Sequence, residues 1–198
     1  MRKGAAALAY HQKPSRLPTA LRGQAADSST MPAAAADSPV QACCPTPLGP
    51  VRLLASGRGL AGLWFEDQKH RPEALDGLWP SQPHHRLLVQ AQTQLEQYFA
   101  GQRQHFDLPL DLSQGSALQQ LVWQALLEIA PGQTCSYGEL ARRIGRPQAA
   151  RAVGAAVGRN RLSIIVPCHR VVGSDGALTG YAGGLARKRA LLQLEGHS

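Results

Sequence analysis

The sequence predicts an α+β fold with a small N-terminal domain and a mainly helical C-terminal domain. Two short apolar runs around Gly57-Arg58-Gly59 predict an antiparallel hairpin, and amphipathic helical stripes follow it. Two further short helices, joined by a turn at Gly145, fit a helix-turn-helix plan. The 198 residues suit one or two compact domains, and a hydrophobic share of 43% excludes a wholly disordered chain.

Composition divides the chain into three segments. Residues 1–45 hold twelve Ala and five Pro without sustained periodicity, which is typical of a disordered tail. Residues 46–112 are the expected N-terminal structural domain, and residues 113–198 are the expected C-terminal domain. The last segment carries ten basic and four acidic groups, a balance that favours a polyanion such as DNA. On charge alone, a solvated surface that keeps the protein soluble is an equally weighted alternative.

Cysteine usage and hydropathy indicate the compartment. The four cysteines, Cys43, Cys44, Cys135 and Cys168, lack the spacing of a secreted disulfide framework. No His or Cys lies at metal-ligand spacing from the first pair, which disfavours a metal site there. The N-terminus lacks a signal-peptide core, and no stretch approaches the roughly 18 apolar residues that span a bilayer. We expect a cytoplasmic protein that does not enter membranes.

The N-terminal domain is predicted from local patterns. Residues 51–55 and 60–65 are the two apolar runs on either side of the turn, and they are predicted to form the two strands of the hairpin. Apolar residues at helical spacing from Leu87 to Phe99 predict a helix that packs on the sheet. Residues 105–112 fit a last strand or an extended arm, and nothing in this domain indicates chemistry.

The C-terminal domain begins with a helix over residues 118–129, which carries one apolar face. Ser136 and Glu139 have the spacing of a capping box, which predicts a helix over residues 137–144 that stops at Gly145. The next helix, within QAARAVGAAVGRN, is nearly all Ala, Gly and Val, so it lacks the long side chains that read the major groove.

A single long side chain, Arg151, stands on that small-residue helix. Such a shape suits the minor groove, where one wedge can unstack a base step. Close packing of the small residues against another helix is an alternative of equal weight.

The run RLSIIVPCHRVVGSDG carries the chemical motif. Residues 164–166 are expected to form a buried strand that delivers Pro-Cys-His-Arg at its end. Beside His169 and Arg170, the thiol of Cys168 is expected to have a lowered pKa and to act as a nucleophile. An inert buried cysteine is the alternative, and adjacency in sequence does not place His169 on the same face as the sulfur.

Five segments together resemble the methylated-DNA-protein-cysteine methyltransferase family of O6-alkylguanine repair proteins. They are TCSYGELA, AARAVGAAVGRN, IIVPCHRVV, GYAGGLARKRALL and LEGH. The resemblance covers about residues 46–197, and TPLGPVRLLASGRGLAGLWF resembles the N-terminal hairpin of bacterial members. It implies a winged-helix-like helix-turn-helix region that combines DNA binding with the active site.

The resemblance implies the activity of a methylated-DNA-[protein]-cysteine S-methyltransferase, which needs no cofactor. O6-alkylguanine, with O4-alkylthymine as a second candidate substrate, is flipped out of double-stranded DNA through the minor groove. The alkyl group then passes irreversibly to Cys168, once per molecule. We expect a monomer that binds DNA with little sequence specificity.

Roles are carried over residue by residue from the family motifs. His169 is the base, acting through a water, Glu195 orients it, and Tyr137 donates a proton to guanine. Arg151 matches an arginine finger, and Asn160 matches a hinge asparagine that supports the acceptor turn. The remaining carried-over positions contact DNA or line the substrate pocket: Ala150, Gly154, Val171, Tyr181, Ala182 and Gly183.

Two departures from the family pattern qualify the resemblance. The zinc ligands found in the N-terminal domains of some members have no counterparts here, so we predict no metal. Ala182 stands where the vertebrate-type pattern has Ser, so a hydroxyl contact to the leaving oxygen is missing. Arg170 is expected to brace the site through a salt bridge. The alternatives in function are a lesion sensor that does not react, a thiol hydrolase that uses Cys168 and His169, and a regulator acting through the helix-turn-helix.

Overall fold

The structure is a computed structural model, and it describes residues 38–72 and 77–197. The predicted α+β class is confirmed. In chain order the elements are β1 (Val40–Cys44), β2 (Val51–Ser56), β3 (Gly59–Phe65), α1 (Arg86–Phe99), α2 (Ala117–Leu127), β4 (Cys135–Ser136), α3 (Tyr137–Arg143), α4 (Ala150–Gly158), β5 (Val171–Val172) and α5 (Leu185–Leu194). A 3₁₀ turn, Cys168–Arg170, immediately precedes β5. Within the two described ranges, no helix is long and apolar enough to cross a membrane.

The N-terminal sheet is antiparallel, in the order β1-β2-β3. The predicted hairpin is confirmed, but the predicted tail is wrong at its end, because residues 40–44 form β1. All five residues of β1 pair with β2, from Val40 opposite Ala55 to Cys44 opposite Val51. Composition hides this strand, because its stability comes from pairing with a neighbour rather than from its own sequence. The remainder of the predicted tail, residues 1–37, lies outside the described residues.

The helices of the C-terminal half begin as local sequence predicts. Ser136 and Glu139 form the expected capping box at the start of α3, and Ser116 caps α2 in the same way with Gln119. Gly145 has a φ of +69°, which ends α3 in the left-handed conformation that glycine tolerates. Helices α3 and α4 pack on α2, where buried residues of all three meet.

The sheet and the C-terminal helices share one hydrophobic core. At its edge, β3 is hydrogen-bonded to the chain beyond α4: the amide of Leu63 donates to the carbonyl of Arg161 at 2.7 Å. The amide of Ser163 donates back to the carbonyl of Leu63 at 2.9 Å. These two bonds attach the N-terminal sheet directly to the segment that leads to Cys168.

Residues 164–166 are buried but do not form the expected strand. Ile164 has a φ of +71°, and the amide of Val166 donates to the carbonyl of Leu162 at 2.8 Å, so the chain turns back within four residues. A short apolar run is buried equally well in a strand or in a compact turn, and periodicity does not distinguish the two. Cys168 therefore opens a 3₁₀ turn rather than ending a strand.

Candidate active site

The 3₁₀ turn Cys168–Arg170, which we call the acceptor turn after the role that the resemblance implies for Cys168, is fixed by one buried amide side chain just beyond α4. The Nδ2 group of Asn160 donates to the carbonyl of Val166 at 2.8 Å and to the Sγ atom of Cys168 at 3.0 Å. Its Oδ1 atom accepts from the amide of Leu162 at 3.0 Å. Asn160 thus connects the helix-turn-helix to the acceptor turn and gives the sulfur a hydrogen-bond donor.

The two residues that follow Cys168 belong to a buried network centred on the carboxylate of Glu195. His169 Nε2 lies 2.9 Å from Oε1 of Glu195, and Arg170 donates through Nε and Nη2 to the two carboxylate oxygens at 2.8 Å each. The hydroxyl of Tyr98, on α1, donates to Oε1 at 2.7 Å. Arg170 also donates to the carbonyl of Ile129. The expected salt bridge of Arg170 is therefore present, and its partner is Glu195.

The network sets the charge states of its members. Burial by itself raises the pKa of Glu195, but the hydrogen bonds from His169 and Arg170 outweigh it and hold the pKa well below the usual range. Burial lowers the pKa of His169, although the hydrogen bond to Glu195 opposes the shift. His169 is therefore neutral at pH 7, with Nε2–H directed at the carboxylate and a lone pair on Nδ1. That Nδ1 atom is buried and has no hydrogen-bond partner among the described residues.

The expectation of a lowered pKa for Cys168 is wrong for the resting protein. Cys168 is 3% exposed, and burial raises the pKa of its thiol to about 11. The hydrogen bond from Asn160 and the positive charge of Lys188 oppose this shift but do not overcome it. The sequence places His169 beside the cysteine, yet it does not show that the surroundings exclude water. A thiol in this state reacts as a nucleophile only when a base removes its proton.

Two tyrosines line a cleft of about 190 Å³, which we call the tyrosine cleft; no residue of the acceptor turn lines it. Its lining includes Tyr137, Tyr181, Ala182 and Gly154 among the residues predicted to contact DNA or substrate. A negative charge on the sulfur of Cys168 would raise the pKa of both tyrosines, which places the sulfur close to them. The hydroxyl of Tyr137 lies 3.5 Å from the carbonyl oxygens of residues 179 and 180.

The other predicted contact residues do not line this cleft. Arg151 is exposed near the start of α4, and Ala150 lines a neighbouring groove together with Tyr137. Val171 and Gly183 are buried. In the described part of the chain, no group of three or more His, Cys, Asp or Glu side chains could hold a metal ion.

Sequence reasoning missed four contributors. Tyr98 belongs to a helix stripe that predicts only core packing, and its hydroxyl partner lies 97 positions away. Lys188 is fully buried, and its Nζ group donates to the carbonyls of Val171 and Thr179. Lys69 and His70 reach the tyrosine cleft from the N-terminal half. Only tertiary structure brings these residues to the site, so no local pattern indicates them.

Replacing Glu195 with Gln is expected to lower the free energy of unfolding by about 3 kcal/mol, because Arg170 keeps a buried charge without its partner. Urea unfolding at pH 7 measures this loss, with the exposed Glu128→Gln variant as the control. The lowered pKa of Glu195 stabilises the fold above the ordinary carboxyl pKa of about 4.3, and this contribution is lost as pH falls towards the folded-state pKa. The deficit should therefore persist from pH 7 to 5 and shrink below that range. Equal stability of the two variants would contradict this account.

Two family models match this chain. The model described as "6-O-methylguanine DNA methyltransferase, ribonuclease-like domain" matches residues 40–112, and the one described as "6-O-methylguanine DNA methyltransferase, DNA binding domain" matches residues 117–197. The methylated-DNA–protein-cysteine methyltransferase of Mycobacterium leprae is 49% identical over 152 residues, covering 77% of this chain and 89% of that protein. The protein of the same name from Methanosarcina acetivorans is 46% identical over 151 residues, covering 76% and 94%.

Solved structures give the same result. The crystal structure of Mycobacterium tuberculosis OGT in complex with DNA superposes with a TM-score of 0.72 at 48% identity, covering 79% of this chain and 92% of that one. The O6-methylguanine-DNA methyltransferase of Pyrococcus kodakaraensis superposes with a TM-score of 0.53 at 25% identity, covering 80% and 99%. On sequence, domain models and fold together, the chain belongs to the methylated-DNA–protein-cysteine methyltransferase family.

Proposed function

We propose that this protein repairs DNA by transferring an alkyl group from O6-alkylguanine to its own Cys168. The observation that carries the proposal is a buried thiol that accepts a hydrogen bond from Asn160 and is followed in the same turn by a neutral imidazole, which Glu195 holds in one tautomer. Relatives 44–50% identical over about 150 residues carry the name methylated-DNA–protein-cysteine methyltransferase, which supports the same activity here.

In this proposal the proton of the Cys168 thiol passes through a water molecule to Nδ1 of His169. The thiolate attacks the alkyl carbon in line with the C–O bond, so an S–C bond forms as the C–O bond breaks. Glu195 stabilises the imidazolium that results. The amide of Asn160, 3.0 Å from the sulfur, stabilises the developing thiolate. The product is a thioether, which neither water nor thiols cleave, so each molecule reacts once.

The leaving group takes up a proton from Tyr137. Loss of the alkyl group leaves negative charge on guanine, and the hydroxyl of Tyr137, at the tyrosine cleft, neutralises it as a general acid. Burial raises the pKa of Tyr137, so the hydroxyl is protonated and available at neutral pH. The step uses the thiol, a bridging water, the imidazole, the phenol and the substrate, and it needs no cofactor. It is balanced when the imidazolium of His169 loses its proton and the phenolate of Tyr137 regains one through solvent.

The substrate is proposed to reach the cleft by flipping through the minor groove. The exposed face of α4 combines Arg151 with Gly154, which lets a sugar-phosphate chain approach the helix closely. Arg151 then fills the place that the flipped nucleotide leaves in the stack. Such contacts read little sequence. We also propose that the protein acts as a monomer in the cytoplasm and that O4-alkylthymine is a second substrate.

Mixing the protein with duplex DNA that contains O6-methylguanine should add one methyl group to the peptide holding Cys168, saturating at one per molecule. Intact-protein and peptide mass spectrometry measures the gain. Cys168→Ala should gain none, whereas Cys135→Ala, which removes the other buried cysteine of the C-terminal half, should still gain one. Methylation of Cys168→Ala, or repeated turnover by the wild type, would refute the proposed acceptor.

Replacing Arg151 with Ala should slow repair in duplex DNA by at least tenfold. Reaction with free O6-benzylguanine should slow much less, because the free base needs no flipping. Arg151 offsets part of the unstacking cost, which is a few kcal/mol, and losing that compensation accounts for a rate change of about this size. Single-turnover rates on both substrates test this. Arg146→Ala removes the same charge from the adjacent turn and should lose only electrostatic attraction. Equal losses on both substrates would rule out the finger.

The reaction rate with O6-benzylguanine should be nearly independent of pH from about 7 to 9. His169, with its pKa below the usual value of about 6.5, remains a neutral base throughout this range, and Cys168, with a pKa of about 11, remains its proton donor. The rate should fall as pH drops below the ordinary histidine range. A steady rise of about tenfold per pH unit up to pH 9 would instead indicate direct ionisation of the thiol without His169.

A further inference from the structure

The segment that follows β3, residues 66–70, leaves the N-terminal sheet and reaches the tyrosine cleft. The amide of Lys69 donates to the carbonyl of Ala182 at 3.0 Å, on the wall of that cleft. The buried side chain of Gln68 accepts from the hydroxyl of Ser163 at 2.8 Å, close to the acceptor turn. The segment is therefore bonded to two parts of the active-site region.

A third attachment runs through Arg187 on α5. Its Nη1 group donates to the carboxylate of Asp67 at 2.7 Å and to the carbonyl of Gly183 at 3.0 Å. Its guanidinium also lies 4.3 Å from the ring centre of Phe65, the last residue of β3. Both ends of the segment are thus held in place before any ligand binds.

This attachment presents two basic side chains at the cleft. Lys69 and His70 line the tyrosine cleft together with Tyr137 and Gly154, which lie far from them in the sequence. His70 has a φ of +63°, a conformation that residues other than glycine rarely adopt unless surrounding contacts impose it. Neither side chain forms a hydrogen bond or ion pair with any residue that the structure describes.

The basic surface continues away from the cleft. His70 also lines a second cleft of about 200 Å³, together with Arg159 and Arg161 from the segment after α4. Arg159 is exposed, and its guanidinium has no polar partner within residues 38–72 and 77–197. Arg161 lies over the ring of Trp64, at 5.3 Å from its centre. We call Lys69, His70, Arg159 and Arg161 the basic rim.

We propose that the basic rim binds the phosphodiester backbone of the damaged strand next to the extruded nucleotide. The inference rests on the proposed function, because it assumes that a nucleotide occupies the tyrosine cleft. A nucleotide in that cleft carries its flanking phosphates to the cleft edge, where unpaired cations of the rim can replace condensed counterions. The N-terminal half of the chain then contributes directly to DNA binding, beside α4.

The salt dependence of DNA binding tests this proposal, because each phosphate contact adds about 0.9 to the slope of log K against log salt. Lys69→Gln and Arg159→Gln should each lower the slope by about that amount, measured with duplex DNA containing O6-methylguanine and Cys168→Ala as the common background. Over one decade of salt concentration, from 1 M to 0.1 M, a slope change of about 0.9 corresponds to a factor of about eight. The affinity of the parent divided by that of the variant should therefore grow about eightfold as the salt concentration falls over this range. Lys69→Arg should restore the slope.

Arg86→Gln is the matched control. It removes one exposed charge from the same half of the chain, at a cleft that shares no lining residue with the tyrosine cleft. Its slope should equal that of the parent. Any general effect of net charge would appear in all three variants, whereas a phosphate contact appears only in the rim variants.

Each outcome decides the matter. Slopes equal to the parent for both rim variants, or equal changes in Arg86→Gln, would overturn the proposal. In the Cys168-containing protein, an equal loss of rate on duplex DNA and on free O6-benzylguanine for Lys69→Gln would also overturn it, because the rim would then shape the base pocket. If the proposed function itself were wrong, the wild-type protein would take up no methyl group. Mass spectrometry shows this independently of the salt slopes.

Discussion

The buried carboxylate of Glu195 is the constraint on which the rest of the site depends. It stands at the end of α5 and accepts hydrogen bonds from the acceptor turn and from α1. A buried charge is costly unless its donors are all in place, so three elements from both halves of the chain must assemble together. The orientation of His169, and hence the position of its free Nδ1, is a consequence of that assembly.

The same burial explains why the resting protein keeps its nucleophile protonated. With the pKa of Cys168 raised to about 11, little thiolate exists at neutral pH, and the thiolate is the form that reacts with oxidants and stray electrophiles. For the proposed single reaction per molecule this matters, because an accidental alkylation of the thiolate would use up the protein. In the proposed reaction, the neutral imidazole of His169 is the proton acceptor that such a thiol needs.

Local sequence predicted those features that local physics determines. The capping box of Ser136, the stop at Gly145 and the hairpin strands all appear where the patterns place them. Strand β1 was not predicted, because its partner strand stabilises it. Residues 164–166 were predicted as a strand and form a turn, because an apolar run does not distinguish a strand from a buried turn.

At the site, the motifs predicted which residues would gather but not their electrostatics. Adjacency to His169 and Arg170 suggested a lowered pKa for Cys168, yet Arg170 directs its charge at Glu195 instead of the sulfur. The hydroxyl of Tyr98 and the ammonium of Lys188 enter the site from positions whose patterns indicate only packing or solvent exposure. Burial and hydrogen-bond partners are tertiary properties, so a sequence pattern alone does not supply them.

The N-terminal half is more than a support for the C-terminal half. Its β3 strand bonds to the segment after α4, its helix α1 supplies the hydroxyl of Tyr98, and residues 66–70 line the tyrosine cleft. A boundary placed at residue 112 by composition therefore separates residues that meet in one network. Removing the first half would leave the amide of Ser163 without its acceptor and would take the Tyr98 donor away from the carboxylate of Glu195, so the geometry of the acceptor turn depends on both halves of this fold.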